Sequence, residues 1–286
     1  MQLNAKTILT GLFASPSNHS ISPIIHNNAF KKLNLNYVYL AFEVDNNNLK
    51  SAIASIKTLN MRGVNLSMPN KKEVIKYLDN ISKEAELSQS VNTIVNDNGI
   101  LKGYSTDGDG FIKSLEEENI FIKDKNITIL GIGGASISII SKAALYGVKS
   151  ISVFKRDNNW IEQKKIIDNI ANKTNLNINL YSLENKSILK REIDNSYILI
   201  NATSVGMKEN LSLIEEKNFF RKDLIVSDLI YEPRKTKLLQ MAEEEGCKII
   251  NGIGMLLYQG ALSFELWTNK KMPIEYIKNI VFNFSL

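Results

Sequence analysis

The period of apolar and polar positions changes along the chain, and the changes mark its elements. TILTGLFA (7–14) reads as a strand, and YVYLAFEV (37–44) alternates like one. Between them, SPIIHNNAFKKLNL (22–35) repeats Ile25, Ala29 and Leu33 at spacing four, as one face of a helix does. Ser22 can cap that helix, and Pro23 suits its first position. LKSAIASIKTL (49–59) reads as a helix, GVNLSM (63–68) as a strand and KKEVIKYLDNI (71–81) as a helix. SVNTIVNDNGILKGYS (90–105) predicts two short strands around Asn96-Asp97-Asn98-Gly99, a hairpin signal. A second series follows, with strands at NITILGIGG (126–134), SISVF (150–154), NINLYS (177–182), YILINAT (197–203) and DLIVSDLI (223–230), and helical patterns between several of them. The tail, GMLLYQGALSFELWT (254–268) and PIEYIKNIVFNF (273–284), is helical. Strands alternating with helices predict an α/β protein of two lobes, the second a doubly wound parallel sheet, with a ligand cleft between them.

Composition narrows the function. The 286 residues are 44% hydrophobic, enough for two buried cores. The net charge of +5 is spread thinly; pairs such as Lys31-Lys32 and Lys164-Lys165 never become a run, which argues against nucleic acid. One cysteine, Cys247, excludes an internal disulfide and suits a reducing cytoplasm. The start, MQLNAKTILTGL, lacks the pattern of a signal peptide, and no apolar run reaches the roughly 20 residues that span a membrane. His19 and His26 stand without cysteines or an acidic cluster, so no metal site is expected.

One βαβ unit, NITILGIGGASISIISKAALYGVKSISVFKRD (126–157), carries cofactor chemistry. A strand runs into Gly131, Gly133 and Gly134, and a helix follows at once. Glycines let the backbone turn sharply and approach a pyrophosphate, and the helix N-terminus offers it free N–H groups. The alternative is a tight turn without a ligand; the flanking strand and helix favour a dinucleotide. At the end of the next strand an acidic residue selects NAD and a basic one NADP. Here Lys155, Arg156 and Asp157 offer both signs, and all three also fit a solvated turn.

Four polar stretches interrupt the first lobe: HSISP (19–23), NLSMPNK (65–71), VNT (91–93) and STDG (105–108). Hydroxyls and amides of this kind hold a carboxylate and ring hydroxyls, and one lysine with one aspartate can move the proton that accompanies hydride transfer. Each has a plainer reading. Ser22 caps a helix, Asp107 caps one starting near Gly110, Asn92 closes a turn, and Lys71 is a solvated lysine.

Eight motifs, HSISP, NLSMPNK, VNTIV, GYSTDGDG, LGIGGAS, NATSVGM, DLIYEPRKTKLL and GIGMLLYQGALSFELW, occur in an order that resembles the shikimate dehydrogenase family, from about residue 8 to residue 280. AFEVD, MRGVNLSMPNK and the tail are similar to its quinate/shikimate branch. The resemblance implies an N-terminal substrate lobe (1–108) completed by C-terminal helices (254–286), and a Rossmann-like NAD(P) lobe (109–253). It implies oxidation of the shikimate 3-hydroxyl to 3-dehydroshikimate in aromatic amino-acid biosynthesis, with quinate as a second substrate. By motif, Lys71 and Asp107 are implied to handle the proton, and Ser20 and Ser22 to hold the carboxylate. Ser67, Asn92 and Gln259 are implied at the ring hydroxyls, with Tyr39 lining the site. Gly131, Ile132, Gly133, Gly134, Ala135, Lys155, Arg156, Asp157, Ser204, Tyr231 and Gly252 fall where the family holds its dinucleotide. Ser67 replaces the commoner threonine, Ser105 stands where many relatives have asparagine, and Asp157 sits one place early. NAD is slightly favoured over NADP, and a homodimer is compatible with the chain. Two other readings keep the scaffold: a silent sensor of shikimate-type ligands, and a dehydrogenase of a related polyol acid.

Overall fold

The computed structural model describes residues 3–156 and 159–283. The chain divides into two units, one running up to Gly110 and resuming at Leu257, the other spanning Phe111–Leu256. The α/β class therefore holds, and the C-terminal helices belong to the first unit.

The first unit contains β1 (Ile8–Ala14), α1 (Ser22–Lys32), β2 (Tyr37–Glu43), α2 (Leu49–Thr58), β3 (Gly63–Leu66), α3 (Asn70–Glu73), β4 (Asn80–Ile81), α4 (Lys83–Ser88), β5 (Thr93–Asp97) and β6 (Ile100–Tyr104). The sheet order is β2-β1-β3-β5-β6-β4. Strands β1, β2 and β3 run parallel, β5 runs antiparallel to β3, and β6 turns back antiparallel to β5. Asn98 and Gly99 form the two-residue hairpin loop with φ of 52° and 92°, the pair of positive values that such a loop needs. Leu49, Ile53, Ile56, Val64, Ile94 and Leu101 form the core on one face of this sheet.

The segment 71–81 differs from the helix expected of it. Helix α3 lasts one turn, a 3₁₀ turn covers Val74–Tyr77, and Asn80–Ile81 pairs with β6. The Asp79 carboxylate accepts Leu101 N–H at 2.7 Å and Lys57 Nζ at 3.0 Å, which draws this segment onto the sheet. Helix α4 was not expected. Ser82 caps it by accepting from Ala85 N–H, and Glu84 and Glu86 lie in its first turn.

Helix α5 (Asp107–Glu117) begins in the first unit and leads into the second. There follow β7 (Asn126–Leu130), α6 (Gly134–Tyr146), β8 (Ser150–Lys155), α7 (Trp160–Thr174), β9 (Ile178–Ser182), α8 (Lys186–Asp194), β10 (Ile198–Asn201), β11 (Ile225–Asp228), α9 (Lys237–Glu244) and β12 (Lys248–Ile250). Helix α10 (Ile253–Thr268) returns the chain to the first unit, where α11 (Ile274–Asn283) follows. The second sheet is parallel throughout, in the order β12-β11-β10-β7-β8-β9. Its order reverses between β7 and β10, the position at which open α/β sheets bind ligands beyond their C-terminal strand ends. Strand β12 is short and was not expected. Leu130, Phe154, Leu199, Val226, Leu239 and Ala242 fill the core beside this sheet.

Candidate active site

In the first unit, NLSMPNK leaves the sheet at the end of β3. Asn70 is fully buried, and its Nδ2 donates to Val44 O at 2.7 Å and Phe13 O at 3.3 Å. The Lys71 carbonyl accepts Val91 N–H at 2.9 Å. The loop is thus fixed on both sides, and Lys71 projects from a held backbone. Its Nζ donates to Asp107 Oδ2 at 2.6 Å. The Lys71 side chain is 19% exposed and that of Asp107 6%, so the lysine is the member that a ligand can reach.

Asp107 does not cap a helix starting near Gly110; it opens α5 itself. A carboxylate there is favoured by the helix dipole. Its second oxygen accepts Asn92 Nδ2 at 2.9 Å. The same Nδ2 reaches Thr106 Oγ1 at 2.9 Å and Gln259 Oε1 at 3.3 Å. Asn92 Oδ1 accepts Thr106 N–H at 2.8 Å, and Thr106 Oγ1 donates to Gln259 O at 3.1 Å. Asn92 therefore locks the start of α5 to α10. Thr106 was missed in the sequence, although its place inside STDG is a signal.

Ser22 does not cap α1 either. Ile21 occupies the cap position with no side-chain bond, and the Ser22 side chain lies beside the Tyr39 phenol, opposing the rise that burial gives it. Ser22 N–H donates to Ser20 Oγ at 3.2 Å, which brings the two serines together. Glu43 anchors the loop that carries them, accepting Ser17 N–H at 2.9 Å and Ser17 Oγ at 3.0 Å. The Ser15 side chain first, and then these two bonds from Ser17, hold its carboxyl below the usual range. Ser67, half-buried, donates its N–H to Phe13 O. Tyr39 departs from expectation: it is 0% exposed, so it offers no surface of its own. Burial pushes its phenol far above the ordinary range.

In the second unit, Gly131 ends β7 with φ of 97°. A Cβ there would lie 2.5 Å from Thr203 Cγ2, so folding itself requires this glycine. Gly133 is different, because a Cβ there would meet no protein atom within 4 Å. Gly133 and Gly134 are exposed, Ile132 and Ala135 half-exposed, and α6 starts at Gly134. A bare backbone at the N-terminus of a thirteen-residue helix fits a dinucleotide pyrophosphate. Ser204 is exposed and Tyr231 half-buried. Gly252 is structural, since a Cβ would stand 2.0 Å from Leu229 O. Lys155 is 3% exposed and is not a solvated turn residue; its Nζ lies over the Trp160 ring and donates to the Arg156 carbonyl. Arg156 is exposed, and Asp157 lies outside the described residues. Among the described residues no cluster of three or more His, Cys, Asp or Glu gathers as metal ligands, and no helix is long and apolar enough to cross a membrane.

Known proteins resemble the chain in sequence and backbone. The profile of the shikimate dehydrogenase substrate binding domain matches residues 12–94, and that of the shikimate 5'-dehydrogenase C-terminal domain matches 252–282. Shikimate dehydrogenase (NADP(+)) of Listeria innocua is 48% identical over 284 residues, covering 98% of each chain. Shikimate 5-dehydrogenase of Listeria monocytogenes, crystallised with shikimate and NAD, superimposes with a TM-score of 0.95 at 47% identity, over 99% of both chains. A shikimate dehydrogenase crystallised with NADP+ gives 0.91 at 40% identity, over 99% of this chain and 97% of that one. With likeness of this degree in sequence and backbone from end to end, the chain belongs to the shikimate dehydrogenase family.

Proposed function

We propose that this oxidoreductase interconverts shikimate and 3-dehydroshikimate with NAD or NADP. The observation that carries the reading is the 2.6 Å Lys71–Asp107 pair, with Asn92 bonded to Asp107 and within 3.3 Å of Gln259. The paired serines suit a carboxylate, and the amides and Ser67 suit ring hydroxyls. A bound dinucleotide supplies the hydride acceptor through its nicotinamide ring. The backbone of 131–135 would hold its pyrophosphate, with Ser204, Tyr231 and Gly252 also assigned to it.

The chain's own residues then handle the proton. In oxidation the C3–H pair of electrons leaves as hydride, the C3–O double bond forms, and the hydroxyl proton passes to neutral Lys71. In reduction the Lys71 ammonium returns that proton to the carbonyl oxygen. Asp107 orients the lysine and balances its charge, and Asn92 keeps the carboxylate in place. Arg156 at the end of β8 suits a 2′-phosphate, and the family's relatives are known with either dinucleotide. Quinate is proposed as a second substrate, on the motifs similar to the quinate/shikimate branch.

Purified protein with shikimate and NADP+ or NAD+ is expected to generate the absorbance of reduced nicotinamide. Silence with both dinucleotides and both substrates would sink the reading. Turnover of shikimate alone would remove only the quinate extension.

A further inference from the structure

The mechanism leaves Asn65, the first residue of NLSMPNK, unused. It sits in mid-strand on β3, between β1 and β5, with 7% exposure. Its neighbours Val64 and Leu66 are core residues. An amide on a central strand costs free energy unless its bonds are filled. Here they are filled by a buried set of polar groups. Asn65 Oδ1 accepts the Tyr39 hydroxyl at 3.0 Å. Asn65 Nδ2 lies 2.9 Å from Ser263 Oγ, 3.1 Å from Thr93 Oγ1 and 3.2 Å from Asn92 O. Tyr39, Thr93 and Ser263 are each 0% exposed.

Every branch ends at a residue assigned to the substrate. Tyr39 has one hydroxyl hydrogen and gives it to Asn65, and the Ser22 side chain lies beside its phenol at the carboxylate end, where it opposes the upward shift that burial imposes. Ser263 Oγ donates to Gln259 O at 3.0 Å, one helical turn back along α10. Thr93 Oγ1 lies 2.7 Å from Ser263 Oγ and 3.3 Å from Asn92 Oδ1. Asn92 in turn holds Asp107. One carboxamide therefore ties β2, β5 and α10 together beneath the site. A set of apolar side chains would fill the same volume without unmet bonds, so stability alone does not call for this arrangement.

We propose that Asn65 is a positioning residue, which with Tyr39 and Ser263 holds Ser22, Asn92 and Gln259 in one frame. The inference rests on the functional reading above and names two separable routes from the hub. Through Tyr39 it acts on the carboxylate; through Ser263 it acts on the ring hydroxyls.

The test compares shikimate with its methyl ester, which lacks the carboxylate charge, in wild type, Tyr39→Phe, Ser263→Ala, Ser263→Thr and Asn65→Leu. Misplacing a binding group by about 1 Å can cost up to about 10²-fold, so losses of about tenfold in kcat/KM are expected of the partner variants. Tyr39→Phe loses about tenfold on shikimate but under about twofold on the ester, since its route ends at the carboxylate. Ser263→Ala loses about tenfold on both, and Ser263→Thr restores the activity. Asn65→Leu combines the losses; if it does not fold, the partner variants decide alone. Partner variants that fold and stay near wild type on shikimate overturn the inference. So does an equal loss on both substrates by Tyr39→Phe, which would mean general loosening. Inactive wild type would instead overturn the functional reading itself, and the inference with it.

Discussion

His26 gives the stability of the first unit a pH dependence that can be isolated. Its ring is 1% exposed. It stacks on Tyr39 at 4.4 Å and 9°, and meets Trp267 at 5.3 Å, Phe264 at 6.3 Å and Phe30 at 6.2 Å. Its Nδ1 has no hydrogen-bond partner among the described residues. Burial among these uncharged rings lowers the imidazole pKa from 6.5 to about 3. Below pH 6.5 the unfolded chain binds a proton here that the folded chain refuses, so stability falls as pH falls, until about pH 3. Between pH 7.5 and 5.0 the loss is about 2 kcal/mol, from RT ln(1 + 10^1.5). His26→Phe keeps an aromatic ring on Tyr39 and removes the proton site. The chain has two tryptophans, so Trp160→Phe leaves Trp267, beside His26, as the reporter of unfolding. In urea titrations at the two pH values, the His26 protein is expected to lose about 2 kcal/mol more than His26→Phe. Superimposable pH profiles would refute the reasoning, because the ring would then be protonated in place.

Other perturbations separate chemistry from architecture. Lys71→Ala is expected to lower kcat by about 10²- to 10⁴-fold while KM for shikimate moves little; steady-state kinetics showing the loss only in KM would contradict its proton role. Gly133→Val is expected to leave thermal unfolding unchanged yet weaken dinucleotide binding at least about tenfold, by filling the space where the pyrophosphate must approach. Calorimetric binding equal to wild type would refute that use of the turn. Gly131→Ala should instead destabilise the second unit by about 1–3 kcal/mol, through its positive φ and the Thr203 collision.

Much of this was legible in the sequence where local chemistry and global fold agree. Asn98-Gly99 names its own hairpin, and Gly131 marks a strand-to-helix turn because few other residues tolerate its positive φ, while Gly133 and Gly134 leave a bare backbone at the start of the helix. Short apolar runs misled where a distant partner decided the outcome. Residues 71–81 have helical spacing, but Asp79 bonded to Leu101 draws them to a sheet edge. Ser22 and Asp107 both read as caps, since each precedes an apolar helix. The structure uses their side chains on Tyr39, Lys71 and Asn92, partners up to dozens of positions away. Asn65, Thr93 and Ser263 look like ordinary polar interruptions. Only the packing of β3 against β5 and α10 makes them one group.

The discontinuous first unit has a consequence for the growing polypeptide. Thr93 and its bonding partner Ser263 are 170 positions apart. At about 5–20 residues per second, on the order of 10–30 s of synthesis separates them. In that interval Phe111–Leu256 emerges whole and can fold. The earlier strands must wait, with the Asn65 amide lacking its serine and Ile94 O lacking the Trp267 indole N–H. The part made first is completed last, which reverses the usual N-terminal-first order on the ribosome.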